Sequence, residues 1–256
     1  MANLHGLRIV NTRPEARAHG LSDALQHQGA TVLALPLLEV EAMPLSPTAK
    51  QYLLDLDRYD MVFVVSPTAA ELGLKALADY WPQWPVDVAW LAVGESTAQV
   101  LYSYLINPVV PQQESSEGLL QLPQLQQLQQ GQRLLVLRGE GGRNLVRDTM
   151  QAQGVQVDYI NLYRRQLPAI AHNTWQALQA DSIDIVIITS GETLTQWLNI
   201  AAQQAQKIPI LVISSRLADL ATQKGIQTVL ISASIKPTDI ILTLSLWQNR
   251  QEHVID

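Results

Sequence analysis

Cysteine is absent from the 256 residues. That absence excludes disulfides, thiolate metal sites and a cysteine nucleophile, and it fits a cytosolic protein. Aromatic residues are scarce at 5%, with a single Phe among many Leu, Ile, Val and Ala, so aliphatic side chains must pack the core. Basic charge is also short: the formal net charge is −6, and without a basic face nucleic acid is not a partner. An anionic substrate would therefore depend on local donors. No run approaches the roughly 18 uninterrupted apolar residues of a membrane span, and the N-terminus has no signal-peptide pattern. GxSxG, GxGxxG and Walker loops are missing, and Gly139-Glu140-Gly141-Gly142 is too short for a Walker loop and lacks its Lys-Ser/Thr end. The histidines are scattered, with His19 and His27 on a solvent-facing helix, and no metal site is expected. Glu15 and Glu140 read as starting equivalent helices, where they complement the dipole.

What is present is length and repetition. The chain is long enough for two domains of about 120 residues. Residues 8–38 lie over 133–163 without a gap, and 9 of 31 positions are identical. Chance would give roughly two. Arg13/Arg138, Glu15/Glu140, Asp23/Asp148, Gln28/Gln153 and Gly29/Gly154 are among the matches. Further on, the run from Asp60 to Ser66 resembles that from Asp184 to Ser190, so a whole half is duplicated.

Residues 61–65 and 184–189 are near-continuous aliphatic runs, the mark of strands covered on both faces. Thr12-Arg13-Pro14 opens a helix on which Ala18, Leu21 and Leu25 keep helical spacing until Gly29. Ser66-Pro67 and Ser46-Pro47 repeat the cap-then-proline signal. In the Gln-rich stretch 121–132, leucines 122, 125 and 128 predict a helix with a solvated face. Strand–turn–helix units in series predict two open, doubly wound parallel α/β sheets. In such sheets ligands lie beyond the carboxyl ends of the strands. Those ends carry Asn11-Thr12-Arg13, Ser66-Pro67-Thr68, Gly94-Glu95-Ser96-Thr97, Arg138-Gly139-Glu140, Thr189-Ser190-Gly191 and Ser214-Ser215-Arg216. Helix starts there offer free N–H groups to carboxylates or phosphates without a basic protein. Each Ser or Thr is equally readable as a simple helix cap.

Thr12-Arg13-Pro14, Pro36-Leu37, Ser66, Ala92-Val93-Gly94 with Thr97-Ala98, Ser116-Glu117-Gly118-Leu119-Leu120, Leu137-Arg138-Gly139, Leu162-Tyr163-Arg164 and the Ser214 to Ala218 block come in order from about residue 8 to 245. Taken together, this set resembles the uroporphyrinogen-III synthases. The resemblance implies two flavodoxin-like domains joined by a two-stranded linker. Residues 1–37 would join 167–256, residues 41–161 would form the other domain, and 38–40 with 162–166 would be the linker strands. The repeat alone would cut the chain near residue 130. The implied substrate is hydroxymethylbilane, bound between the domains by a cytoplasmic, monomeric enzyme that needs no cofactor or metal and makes at most a transient contact with hydroxymethylbilane synthase. Loss of the terminal hydroxyl, a spiro intermediate and a second closure would give uroporphyrinogen III with ring D inverted.

By the same resemblance Tyr163 is the hinge tyrosine and the residue assisting hydroxide loss. Arg13, Arg138 and Arg216 are carboxylate partners, or else pair with Glu15, Glu140 or Asp219. Ser66, Thr97, Ser116, Ser190 and Ser215 are substrate-binding hydroxyls or helix caps. At Ser214-Ser215-Arg216 this chain departs from the commoner Gly-Pro and Thr pattern. Two rival readings share the duplicated α/β halves: a two-lobed binding protein and a noncatalytic regulatory module.

Overall fold

A computed structural model describes residues 3–179 and 182–252. Among them are ten strands: β1 (Arg8–Asn11), β2 (Thr31–Ala34), β3 (Glu39–Ala42), β4 (Met61–Val64), β5 (Ala89–Ala92), β6 (Arg133–Gly139), β7 (Gln156–Gln166), β8 (Ile185–Ile188), β9 (Ile210–Val212) and β10 (Val229–Ile231). The chain divides into two compact units, Met1–Glu39 with Gln166–Asp256, and Val40–Arg165.

The first unit holds a five-stranded sheet in the order β10-β9-β8-β1-β2, with β1/β2, β1/β8, β8/β9 and β9/β10 all parallel. Val10, Val186, Ile188, Ile210 and Val212 lie in one buried cluster, and Ile9, Ile185, Ile187 and Leu211 in another. Side chains alternate across a strand. Burial on both faces therefore needs an unbroken apolar run, as β8 shows. Helix α1 (Glu15–His27) buries Leu21 and Leu25 and gives way at Gly29, whose φ of +90° suits the residue without a Cβ. The unit also contains α8 (Ala171–Leu178), α9 (Gly191–Ala201), α10 (Ser215–Gln223) and α11 (Pro237–Glu252).

The second unit's sheet runs β3-β7-β6-β4-β5, with β4/β5, β4/β6 and β6/β7 parallel. Its two buried clusters again split by alternation, Val62, Val64, Leu135 and Leu137 against Met61, Phe63, Leu134 and Val136. Helices α2 (Pro47–Leu54) and α3 (Pro67–Ala78) begin as their sequences predict. The hydroxyls of Ser46 and Ser66 accept from the amides of Ala49 and Ala69, and Pro takes the first turn. Next come α4 (Glu95–Ser103), α5 (Ser116–Leu119), α6 (Pro123–Gln126) and α7 (Leu145–Ala152). At the far edge, Arg164 of β7 pairs with Glu41 of β3 at 2.6 Å.

Two local expectations give way. The Gln-rich stretch is helical only over Pro123–Gln126. Leu125 and Leu128 are buried, but the Gln132 side chain accepts from the Gln129 amide and donates to Asp60, which closes a turn leading into β6 in place of further helix. Glu140 does not start a helix, because α7 begins only at Leu145. In the first copy Glu15 follows Pro14 directly into α1, whereas the second copy has Gly141 and Gly142 at φ +77° and +82°, outside the right-handed helical region.

Candidate active site

In the second unit the strand order reverses between β4 and β6. Loops leaving adjacent strands there turn to opposite faces and open a crevice beyond the carboxyl ends. A cavity of about 240 Å³ sits at that point. Ser66 after β4, Ser116 of α5, Arg138 and Gly139 at the end of β6, the loop 140–143, and Tyr159, Tyr163 and Arg165 of β7 line it. The glycine substitutions in the second repeat make it possible. Where α1 starts at once in the first copy, the second leaves residues 140–143 as an open loop, and all four line the cavity.

Arg138 ends the buried strand and is only 8% exposed. Its Nε donates to the Gly139 carbonyl at 3.0 Å and its Nη1 to Asn144 Oδ1 at 3.3 Å. Both acceptors are neutral. Among the described residues no carboxylate pairs with it. A buried guanidinium with N–H groups to spare has the chemistry to accept an anion.

Tyr163 is brought in by a bulge. The β6/β7 register slips between Arg138 and Gly139, so Arg138 faces Asn161 but Gly139 faces Tyr163. Strict alternation would put Tyr163 on the face of Tyr159; the slip instead places it in the opposite cluster with Ile160 and Leu162. Gly139 leaves room for the ring, since a Cβ there would come within 2.5 Å of Cε2 and Cζ. The phenol is 3.0 Å from Ser66 Oγ. That Oγ also accepts from the Ala69 amide at 3.1 Å; either hydroxyl can donate in the pair, and when the serine donates, the phenol proton is free to point into the cavity.

Elsewhere the strand ends are quieter. Glu114 accepts from the Glu95 amide at 3.0 Å at the start of α4. Thr97, one turn in, is fully buried with no partner for its hydroxyl and does not line the cavity. In the first unit Thr12 donates to the Ile187 carbonyl at 2.5 Å. Ser190 caps α9 and contacts the Thr193 hydroxyl, while Ser214 caps α10. Ser215 and Arg216 are exposed in the first turn of α10. Burial, then the Arg17 charge, lowers the Arg13 pKa from its ordinary value. None of Arg13, Arg138 and Arg216 pairs with Glu15, Glu140 or Asp219 among the described residues.

The family model described as uroporphyrinogen-III synthase HemD matches residues 19–241. The chain belongs to the uroporphyrinogen-III synthase family. It is 33% identical to the uroporphyrinogen-III synthase of Escherichia coli K12 over 87% of this chain and 94% of that one. A relative from Synechococcus elongatus with the same name is 27% identical over 78% of this chain and 76% of its own. Among solved structures, a mutant uroporphyrinogen III synthase of Thermus thermophilus aligns with a TM-score of 0.66 at 15% identity, over 95% of this chain and all of that one. The Helicobacter pylori uroporphyrinogen-III synthetase aligns at 0.57 with 17% identity, over 94% and 99%. The two structures share the fold, two largely parallel α/β sheets. The activity is that of a uroporphyrinogen-III synthase, a hydro-lyase of porphyrin biosynthesis.

Within this synthase the cavity gathers Ser66, Ser116, Arg138 and Tyr163 from the candidates legible in the sequence. Arg13, Ser190, Ser215 and Arg216 belong to the other unit, and Thr97 is sealed in the core. Tyr159, Arg143 and Arg165 also line the cavity, and Arg143 and Arg165 had no distinguishing signal. Tyr159 stands where the first copy has Ala34, so the mismatch within the repeat was the one clue.

Two substitutions test this geometry. Ser66→Ala removes a helix cap and is expected to cost about 1 kcal/mol, read as a fall in Tm of about 2–4 °C by differential scanning calorimetry. Gly139→Ala is expected to displace the Tyr163 ring, lowering turnover at least as much as removal of the phenol hydroxyl. Wild-type turnover in Gly139→Ala would show that the ring position does not matter.

Proposed function

We propose that this cavity receives the hydroxymethyl-bearing end of hydroxymethylbilane, with Tyr163 hydrogen-bonding the departing hydroxyl and Arg138 holding a pyrrole carboxylate. The observation that carries the reading is the Ser66–Tyr163 hydroxyl pair, 3.0 Å apart, lining the same cavity as a buried arginine without a counter-charge. A cavity of about 240 Å³ takes one terminal ring with its side chains, not the whole chain of four. Arg13, Ser190, Ser215 and Arg216 are proposed to serve further carboxylates from the first unit. Local donors of this kind suit an eight-carboxylate substrate on a protein of net charge −6.

The chemistry asks little acid–base machinery of the protein. The pyrrole nitrogen pushes out the hydroxyl, leaving an azafulvene. The substituted carbon of ring D attacks it to give a spiro intermediate, which fragments and recloses with ring D inverted, losing a last proton. The proton lost at this last closure balances the departed hydroxide, so the net loss is one water molecule. A neutral phenol backed by Ser66 and by the positive end of α3 lends a hydrogen bond at that oxygen without full transfer. Spontaneous closure gives the symmetric isomer, so presenting the substituted carbon of ring D to the azafulvene is the enzyme's main task.

The test is an isomer assay. Purified protein given hydroxymethylbilane should yield uroporphyrinogen III after a coupled synthesis. Binding without a shift from isomer I would identify a binding protein, and neither binding nor turnover would identify a regulatory module.

A further inference from the structure

The ring of Tyr159 lies under the Arg138 guanidinium, with Cζ 4.9 Å from the ring centroid, and the Arg147 guanidinium lies 5.9 Å from the same ring. Tyr159 is half-buried on β7 opposite Val136, two positions before the Arg138–Asn161 pairing, and packs on the cluster of Phe63, Val136 and Val146. We propose that Tyr159 is a positioning residue for the reaction: its π face holds the Arg138 guanidinium in place while leaving its charge and its unused N–H groups for a substrate carboxylate.

The physical reason is a difference between ways of stabilising a buried cation. A carboxylate partner would cancel the charge and occupy the guanidinium fork. An aromatic quadrupole attracts the cation through its face and accepts none of its conventional hydrogen bonds. Among the described residues every other partner of Arg138 is likewise a neutral oxygen, that of the Gly139 carbonyl, the Asn144 side chain or the Tyr159 hydroxyl itself. The incoming carboxylate is then the first full counter-charge the arginine meets. Arg147 is engaged differently, since its Nε pairs with Asp148 at 2.9 Å on the helix surface. The ring therefore serves one arginine already matched with an acid and one kept unmatched beside the cavity.

This inference rests on reading Arg138 as a carboxylate partner, and the experiment separates the two. Steady-state kinetics with hydroxymethylbilane are measured for Tyr159→Phe, Tyr159→Leu, Arg138→Ala and the Arg138→Ala/Tyr159→Leu double variant, with Tm as the folding control. Tyr159→Phe keeps the π face and loses only the hydroxyl's hydrogen bond to Arg138, so it should raise KM by no more than about threefold. Tyr159→Leu should raise KM about tenfold, the equivalent of about 1.4 kcal/mol, with kcat held within about twofold. The double variant should be no worse than Arg138→Ala, because the ring acts through the arginine. Should Tyr159→Leu not fold, Tyr159→Met, unbranched and without a π face, carries the same expectation. An unchanged KM in the leucine variant, equal losses in the Phe and Leu variants, or additive losses in the double variant would each overturn the role of Tyr159. An unchanged KM in Arg138→Ala would instead overturn the carboxylate-partner reading beneath it.

Discussion

Tyr163→Phe is expected to lower kcat about tenfold to a hundredfold with KM held within about threefold. The substitution keeps the ring, which is 5% exposed and packed in the core, and removes only the oxygen 3.0 Å from Ser66. Packing and the Gly139 contact survive, so a stability loss cannot imitate the effect. A hydrogen bond to an oxygen that gains negative charge as it leaves is stronger in the transition state than in the bound substrate, which is why kcat falls and KM does not. Single-turnover measurement of hydroxymethylbilane consumption reads the step directly. A loss below threefold would remove Tyr163 from the chemistry and leave it a packing residue. The serine supports the same argument. Ser66→Ala should lower kcat in the same direction as Tyr163→Phe, and the double variant should lose little more than the worse single one, because the two hydroxyls act as one chain.

Arg138→Ala is expected to raise KM about thirtyfold while lowering kcat less than fivefold. A charge-assisted hydrogen bond contributes about 1.5–3 kcal/mol, and here it forms to a carboxylate that is not part of the reacting bonds. Binding of that kind is shared by ground state and transition state and shows in KM. Arg138→Lys should recover only part of the loss, since an ammonium lacks the planar fork that can grip a carboxylate with two N–H groups. Isothermal titration with the cyclised product checks the binding term without turnover, and product affinity equal to wild type would refute the assignment. The product isomer adds a second readout. If Arg138 also helps fix the terminal ring, the fraction of isomer I should rise in the variant.

The duplicated α/β pattern was readable because it depends on local rules. Buried parallel strands need unbroken aliphatic runs, as in Ile185 to Ile188, and helix starts need a cap followed by proline, as at Ser46-Pro47 and Ser66-Pro67. Tyr163 and Arg138 were legible as family positions at strand ends. Tyr159 was not, because its contribution is a distance to a side chain on the neighbouring strand. Nor was the status of Thr97, whose place in a Gly-Glu-Ser-Thr turn looks like a ligand site until burial closes it off.

Glu140 and the Gln-rich stretch mark the limit of reading by analogy within the repeat. Alignment with Glu15 put Glu140 at a helix start, but Gly141 and Gly142 at positive φ postpone the helix to Leu145 and open the loop that lines the cavity. By itself the sequence determined the kind of element most segments form, the largely aliphatic inner strands and the strand ends that carry hydroxyls and arginines, since these follow from side-chain period and backbone propensity. Tertiary structure alone decided that β6 lies beside β4, that a bulge swings Tyr163 against Gly139, and that Arg138 is buried over an aromatic ring with no acid paired to it among the described residues. Those outcomes depend on strand order, on a one-residue slip in register and on which groups share a low-dielectric space, and each is a relation between segments far apart in the chain.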